Sequence, residues 1–464
     1  MLTIGDYDRR LGRRDFLKVG SLMLGGLSLP QLLSAQAAGQ SVSSLLKDRS
    51  VIFVFMHGGP PQTETFDPKM TAPDGIRSVV GEVATSLPGV TFGSSFPRLA
   101  AMAHKMAVVR SFTTGNANHD IKPIVCNDTL NANLGCMYSR VAGINHPITG
   151  MPTNIGLFSP AVDPNGKPAT KAFGDLTSTG TIGAAYAPFV PGAGGNMQQD
   201  MKLTMPMDRI DDRRGLLSRL DQVRWAAESG GYFSGLDRMR EQAFSTILGG
   251  VAEAFDLSKE DPATIARYDT APLIEPSEIS RTWNNWKNYI DNARNLGKLL
   301  LLARRLCENG AGFVTVTTSF VWDMHADSNN ATIHEGMYYM GLPFDYAVSA
   351  LLEDLEARGL SNKVLVVCCG EIGRTPKINK KGGRDHWGNL APLMVAGGGL
   401  QMGKVVGQST RDAGAPQTDP ITISNLVATI MHSLFHVSEL RLARGIPSDV
   451  MRLITGGDPI AELV

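Results

Sequence analysis

Ser50-Val51-Ile52-Phe53-Val54-Phe55-Met56 runs directly into His57-Gly58-Gly59-Pro60. The run is apolar from Val51 to Met56 without alternation and stops at two glycines. That pattern predicts a strand buried on both faces, as in a parallel sheet covered by helices. Met106–Val109, before Arg110, repeats it after a helix expected over Phe96–His104. Gly312–Thr317, Lys363–Val367 and Pro392–Ala396 are three further runs. Asn285–Glu308 carries apolar residues at helical spacing and closes at Asn309-Gly310, and Phe344–Arg358 closes at Gly359. Strand–helix–strand alternation predicts an α/β fold: a mostly parallel sheet with helices on both faces and sites at the strands' C-terminal ends.

Between these elements, Asn145–Met205 is Gly/Pro-rich and aperiodic and reads as long loops. Met207–Asp256 reads as helical, with Leu216, Leu217, Leu220 and Val223 on one side. The expected organisation is one domain over residues 48–464, with a loop-rich and helical insertion at about 145–300.

Residues 1–37 read as an address. Arg13-Arg14-Asp15-Phe16-Leu17-Lys18 is a twin-arginine pattern, an apolar Gly-containing stretch follows to Leu33, and Ala35-Gln36-Ala37 is a small-x-small cleavage site. The expectation is export by the twin-arginine translocase to the periplasm or beyond, with no stable membrane span after cleavage, because no later run reaches ~18 apolar residues. Export permits disulfides, and Cys126 with Cys136 is one candidate bridge.

The chain has 464 residues with 44 Lys+Arg against 44 Asp+Glu. This balance argues against a nucleic-acid binder, which needs a basic excess. Its 50 Gly and 26 Pro predict many short elements joined by tight turns. None of the five Cys has C-x-x-C spacing, so thioredoxin-like chemistry and c-type haem are unsupported.

The chemistry-bearing residues follow the strands. After the first come His57 and Gln62; after the second, Thr113, Thr114, Asn118 and His119; after the third, Asp323 and His325; after the fourth, Glu371, Arg374, Arg384, Asp385 and His386. Imidazole with carboxylate is a ligand set for a divalent ion, and delivery from several strand ends lets the groups converge. Singly, each has a plainer explanation. Asp323 and His325 fit a ligand pair or an Asx-type turn, and His57 fits a ligand or a strand terminus. His119 is expected to open a helix running to Leu130, with unpaired N–H groups at its start. Arg374 and Arg384 could grip a phosphate or sulfate in bidentate fashion, whereas Lys377, Lys380 and Lys381 read as a solvated loop. Cys368-Cys369 read as small core hydrophobes.

At these residues the sequence resembles the DUF1501 family of exported bacterial proteins, grouped with the alkaline phosphatase-like and sulfatase superfamily. The resemblance is carried by His57-Gly58-Gly59-Pro60, Thr65-Phe66-Asp67-Pro68, Asn118-His119, Trp322-Asp323-Met324-His325, Gly370-Glu371-Ile372-Gly373-Arg374 and Gly383-Arg384-Asp385-His386-Trp387. It implies an alkaline phosphatase-like three-layer α/β/α sandwich and a divalent metal (Zn, Mn, Ca or Mg) held by His57, Asp323, His325, Glu371, Asp385 and His386. It further implies Thr113, Thr114, His119, Arg374 and Arg384 as catalytic candidates and an anionic small-molecule or glycan ester as substrate. Two departures stand out: no C-x-P-x-R sulfatase signature occurs, and Gln62 stands where relatives often carry His. The alternative to a hydrolase is a non-catalytic exported binding or scaffold protein that keeps the fold.

Overall fold

The computed structural model describes residues 5–6, 9–10, 44–192, 251–443 and 445–464. The expected leader therefore lies outside the described residues apart from the paired Gly5–Asp6 and Arg9–Arg10. So does the helix expected over Met207–Asp256, of which only residues 251–256 are described, with Ala252–Phe255 as a helical turn.

Seven strands build the central sheet: β1 Ser50–Phe55, β2 Met106–Val109, β3 Asn154–Leu157, β4 Phe313–Val316, β5 Val364–Cys369, β6 Leu393–Gly397 and β7 Lys404–Val406. Their spatial order is β7-β2-β6-β5-β1-β4-β3. Only β6 runs against its neighbours, pairing antiparallel with β2 and β5. The other ladders are parallel, so the mostly parallel expectation holds. The five long apolar runs are five of these strands. The edge strand β7 has only three residues, and β3, as long as β2 and β4, carries Asn154 and Gly156 instead of an apolar run and lies inside the segment read as loops.

Alternation along β1 explains the three layers. Val51, Phe53 and Phe55 enter one apolar cluster, while Ile52, Val54 and Met56 enter another on the opposite face. The layer helices are α1 Pro97–Ala101, α2 Leu134–Ala142, α3 Trp286–Glu308, α4 Leu342–Ala357, α5 Ile423–Leu434 and α6 Ser448–Gly456. α1, α3 and α4 pack on the Ile52 face, and α2, α5 and α6 on the Phe53 face. With both faces covered, every β1 side chain leaves water, at about 1.5–3 kcal/mol for each large one.

Two helix expectations change. No helix runs from His119 to Leu130; the chain turns there, with one 3-10 turn at Asn127–Thr129, and helix resumes only at Leu134. Pro123 supplies the reason: it lacks an N–H where a helix begun at His119 would need one, and it disfavours helical geometry at Lys122. α4 starts at Leu342, after a short helix Ile333–Gly336 capped by Thr332 and a π-turn over Met337–Gly341. Pro343 fits that start because first-turn residues need no intrahelical N–H bond.

The cysteines correct a third expectation. All five are free thiols. The Cys136 thiol contacts the Ser178 carbonyl at 3.7 Å and the Asn154 amide at 3.6 Å. Burial pushes the Cys126 thiol up to about 11 and that of Cys136 to about 12, so neither carries appreciable thiolate near neutrality.

An ion network joins α3 and α4. Arg304, 1% exposed, meets Glu260 at 2.6 Å, Glu308 at 2.5 Å and Asp354 at 2.8 Å. Burial alone would raise the Glu260 carboxyl, but Arg305 and Arg304 outweigh it and hold it at about 2. Because the folded value lies below the ordinary 4.5, this stabilisation is fully present above pH ~4.5 and is lost as pH falls toward ~2. Glu260→Gln is therefore expected to lower the melting temperature near pH 6, with the difference from wild type closing on acidification. Thermal melts of both proteins from pH 7 to pH 3 check this; a gap that widens toward low pH would contradict it.

Candidate metal centre

The loops after β1, β2, β4 and β5 converge beyond the sheet. His119 follows β2, Asp323 and His325 follow β4, and His386 follows β5. A short hairpin, Gly373–Arg374 paired with His386–Trp387, sets Arg374 opposite His386. Among the described residues, the donor atoms of His119, Asp323, His325 and His386 all lie within 4.8 Å of one another.

The contacts are close. His386 Nε2 lies 2.7 Å from His119 Nε2 and 2.6 Å from His325 Nε2. Asp323 Oδ1 lies 2.7 Å from His325 Nε2, 3.4 Å from His386 Nε2 and 3.5 Å from His119 Nε2. His119 Nδ1 faces Glu371 Oε1 at 2.6 Å, and His325 Nδ1 faces Asp385 Oδ1 at 3.5 Å. Glu371, at hydrogen-bond distance behind His119 Nδ1, orients that ring so that Nε2 faces the other donors, while Asp385 stands farther behind His325. His386 Nε2 carries at most one hydrogen, so it can satisfy only one of the two nitrogens it faces. Three imidazole nitrogens and a carboxylate oxygen thus converge, and Arg374 Nη1 also reaches His325 Nε2 at 3.3 Å. The donor set fits a divalent ion.

Asp323 is fixed from both sides. Its Oδ1 receives Arg374 Nη2 at 2.5 Å and its Oδ2 receives the Asn330 amide at 3.0 Å. Burial alone would raise its carboxyl, but Arg374 and the three imidazoles hold it far below the usual carboxylate range. Burial would lower His119, yet its bonds to Asp323 and Glu371 prevail and raise it. For His386, burial prevails and lowers it.

Several expected roles change here. Glu371, 0% exposed, is not a ligand: its carboxylate accepts the Gly58 N–H at 2.9 and 3.1 Å and aligns His119 from behind. Gly58 is needed at that place, with φ +115° and a Cβ that would sit 2.6 Å from the Asp323 nitrogen. Asp385 stands behind His325, outside the ligand group, and is further held by Asn379 at 3.1 Å. His57 is excluded from the group too. It is buried among Phe55, Phe173 and Phe320, burial lowers its imidazole, and its Nε2 has no partner. His119, expected to be catalytic, is one of the four donors.

Neither arginine is free for an anion. Arg374, fully buried, directs Nε to the Gly59 carbonyl at 2.7 Å and Nη2 to Gly58 and Asp323. Arg384, also fully buried, pairs with Glu64 at 3.0 Å and donates to the carbonyls of Ile76, Arg77, Thr375 and Pro376. It locks loops together away from the four donors. Thr113 donates to the Gly388 carbonyl at 3.0 Å, and the buried Thr114 hydroxyl has no partner. Neither threonine hydroxyl contacts the four donor residues. Gln62 bridges the Arg374 and Ala413 carbonyls through its amide, a structural use.

The sequence patterns do not mark Asn330 or the Phe173–Phe320 pair, whereas they mark Gly58 as a turn glycine. Asn330, seven residues past Asp323, had a local signal in its spacing from the acid; Phe173 had none.

The backing carboxylate gives a prediction. Glu371→Gln keeps a hydrogen-bond acceptor but loses the charge behind His119, and it is expected to lower metal affinity about 10–100-fold. Titration with a divalent ion, alongside circular dichroism to verify the fold, checks it; unchanged affinity would contradict the role given to Glu371.

A family profile described as "Protein of unknown function (DUF1501)" matches residues 48–464. No curated protein matches the chain. Among solved structures, it is similar to the PsFucS1 sulfatase from Pseudoalteromonas sp., at 9% identity and TM-score 0.34, over 86% of this chain and 69% of that one. It is similar also to a phosphonate monoester hydrolase from Silicibacter pomeroyi, at 12% identity and TM-score 0.32, over 89% and 77% of the two chains. A TAB5 alkaline phosphatase mutant aligns at 13% identity and TM-score 0.27, over 78% and 95%. At such scores these likenesses carry no residue roles across.

Proposed function

The chain belongs to the DUF1501 family, and from that premise we propose that it is an exported, metal-dependent hydrolase of phosphate or sulfate esters. The observation that carries the reading is the convergence of His119, Asp323, His325 and His386, two of the imidazoles being backed by carboxylates. Three nitrogens and one oxygen favour Zn²⁺ or Mn²⁺ over Ca²⁺ or Mg²⁺, which prefer all-oxygen sites. A divalent ion there would supply Lewis acidity toward an ester oxygen. The chain's own residues supply the rest. Glu371 holds the His119 ring from its Nδ1 side, Asp385 stands 3.5 Å behind His325, and Arg374 with Asn330 keeps the Asp323 carboxylate ionised and aimed. The buried Arg374 also offsets the Asp323 charge, which favours an anionic substrate over a cationic one.

A panel of aryl and sugar phosphate and sulfate esters, assayed with Zn²⁺ or Mn²⁺ and with His386→Ala as control, tests the proposal. Turnover that needs both the metal and His386 is expected; turnover that survives His386→Ala would overturn it.

A second reading, a non-catalytic exported binding protein, is favoured by one observation. Arg374 and Arg384 are consumed by internal contacts, and neither the Thr113 nor the Thr114 hydroxyl is hydrogen-bonded to the donor group. It predicts metal binding and saturable anion binding without hydrolysis in the same panel.

Export rests on residues 1–37, with the twin-arginine translocase as the transient partner and the periplasm or medium as destination. No helix of the described residues is long and apolar enough to cross a membrane. Residues 1–37 fused to a folded reporter should export it, and replacing Arg13 and Arg14 by Lys should retain it in the cytoplasm. Export unaffected by that replacement would refute the route.

A further inference from the structure

Beside the four donors lies a group of rings that the metal reading does not use. Phe173 and Phe320 stack at 4.6 Å between centroids with a 30° tilt, and both are half-buried. Each also meets two imidazoles. Phe320 stands edge-on to His119 at 4.8 Å and to His57 at 4.9 Å, while Phe173 lies 5.1 Å from His119 and 5.7 Å from His57. His119 thus belongs to both groups, with Nε2 among the donors and its ring edge against the phenylalanines.

Two features mark this as more than a cover for the histidines. His57 is 2% exposed, yet its Nε2 has no hydrogen-bond partner. A buried nitrogen left so is unfavourable, and a ligand hydroxyl would satisfy it. The pair is also held in place. Phe173 comes from the 163–176 loop and Phe320 from the turn after β4, segments far apart in sequence. One buried carboxylate anchors both: Asp291 on α3 accepts Ser159 Oγ at 2.6 Å and the Lys167 N–H at 2.8 Å on the first side. On the second it accepts Ser319 Oγ at 3.3 Å, next to Phe320, and Asn295 Nδ2 fills its remaining site at 3.2 Å. The two segments that carry the rings are thus tied to one buried carboxylate, which favours a preformed face for a flat partner.

We infer that Phe173, Phe320 and His57 form a subsite beside the metal centre that receives a ring with an apolar face, so the ester's organic group is cyclic rather than a short open chain. The inference rests on the metal-centre reading, because His119 joins the two. Aryl rings and pyranoses share the required chemistry: each presents a flat C–H or π face, and a pyranose adds hydroxyls that could meet His57 Nε2.

Non-hydrolysable ligands separate this from turnover. Phenylphosphonate, a pyranosyl phosphonate and methylphosphonate are titrated calorimetrically into the mature, metal-loaded protein, with bound metal measured on every sample. At least one ring-bearing ligand is expected to bind about tenfold more tightly than methylphosphonate, and the tighter of the two identifies the source. Phe320→Ala should abolish that preference while leaving methylphosphonate binding and metal content unchanged. Phe320→Leu, which keeps the volume but not the ring, should do the same if Phe320→Ala fails to fold. Equal affinity for all three ligands, or a preference that survives both substitutions, would overturn the subsite. A wild-type protein that takes up no metal would overturn the metal-centre reading, by a separate readout, and the inference with it.

Discussion

Replacing Asp323 by Ala is expected to abolish divalent-metal binding, with affinity falling by more than about a hundredfold, the upper end for substitutions behind a ligand. Asp323 is the only charged donor of the four, and its oxygen stands 2.7–3.5 Å from each imidazole nitrogen. The loss is electrostatic as well as coordinative. Arg374, fully buried and 2.5 Å from Asp323, becomes an uncompensated cation beside the three imidazoles and repels any incoming cation. His325→Ala and His386→Ala each remove one neutral donor and should weaken binding less than Asp323→Ala does. Isothermal titration of the three variants with Zn²⁺ and Mn²⁺ checks the ranking. Asp323→Ala binding as tightly as wild type would contradict the account of the site.

The second large effect is on folding. Arg384→Ala should destabilise the protein by about 3–5 kcal/mol, a large share of the ~5–15 kcal/mol that ordinarily separates folded from unfolded chains. Arg384 and Glu64 are each 0% exposed, and the arginine also donates to four carbonyls from two loops. Removing it strands a buried carboxylate that retains Ser78 Oγ at 2.6 Å, Thr63 Oγ1 at 3.3 Å and the Val79 and Val80 N–H groups. Arg384→Lys should recover only part of the loss, because an ammonium cannot match the guanidinium fork. Had Arg384 been an anion-binding residue, its alanine variant would fold normally and lose only ligand affinity. Denaturant unfolding distinguishes the two roles, and an unchanged midpoint would refute the structural one.

These two residues show what the sequence made legible. The sheet was readable because β1, β2, β4, β5 and β6 are buried on both faces and write that burial as continuous apolar runs. The edge strands leave no comparable mark: β3 interrupts its apolar residues with Asn154 and Gly156, and β7 has three residues, one of them Lys404. The site was readable in position, since strand ends delivered His119, Asp323, His325 and His386. Sorting ligands from their supports was not. Glu371 and Asp323 are both acids at strand ends. Only the fold shows that the Gly58 N–H and His119 Nδ1 engage the Glu371 carboxylate, while Asp323 points into the donor group. Likewise, Arg384 sits one residue from Asp385, but its partner Glu64 is 320 positions away. The false helix at His119 had a local cause that Pro123 could have flagged.

Metal content tests the central claim most directly. The mature chain, purified without added chelator, saturated with Zn²⁺ or Mn²⁺ and dialysed, should retain about one ion per chain by elemental mass spectrometry, and Asp323→Ala should retain none. A wild-type protein that holds no stoichiometric divalent ion after this treatment would contradict the account.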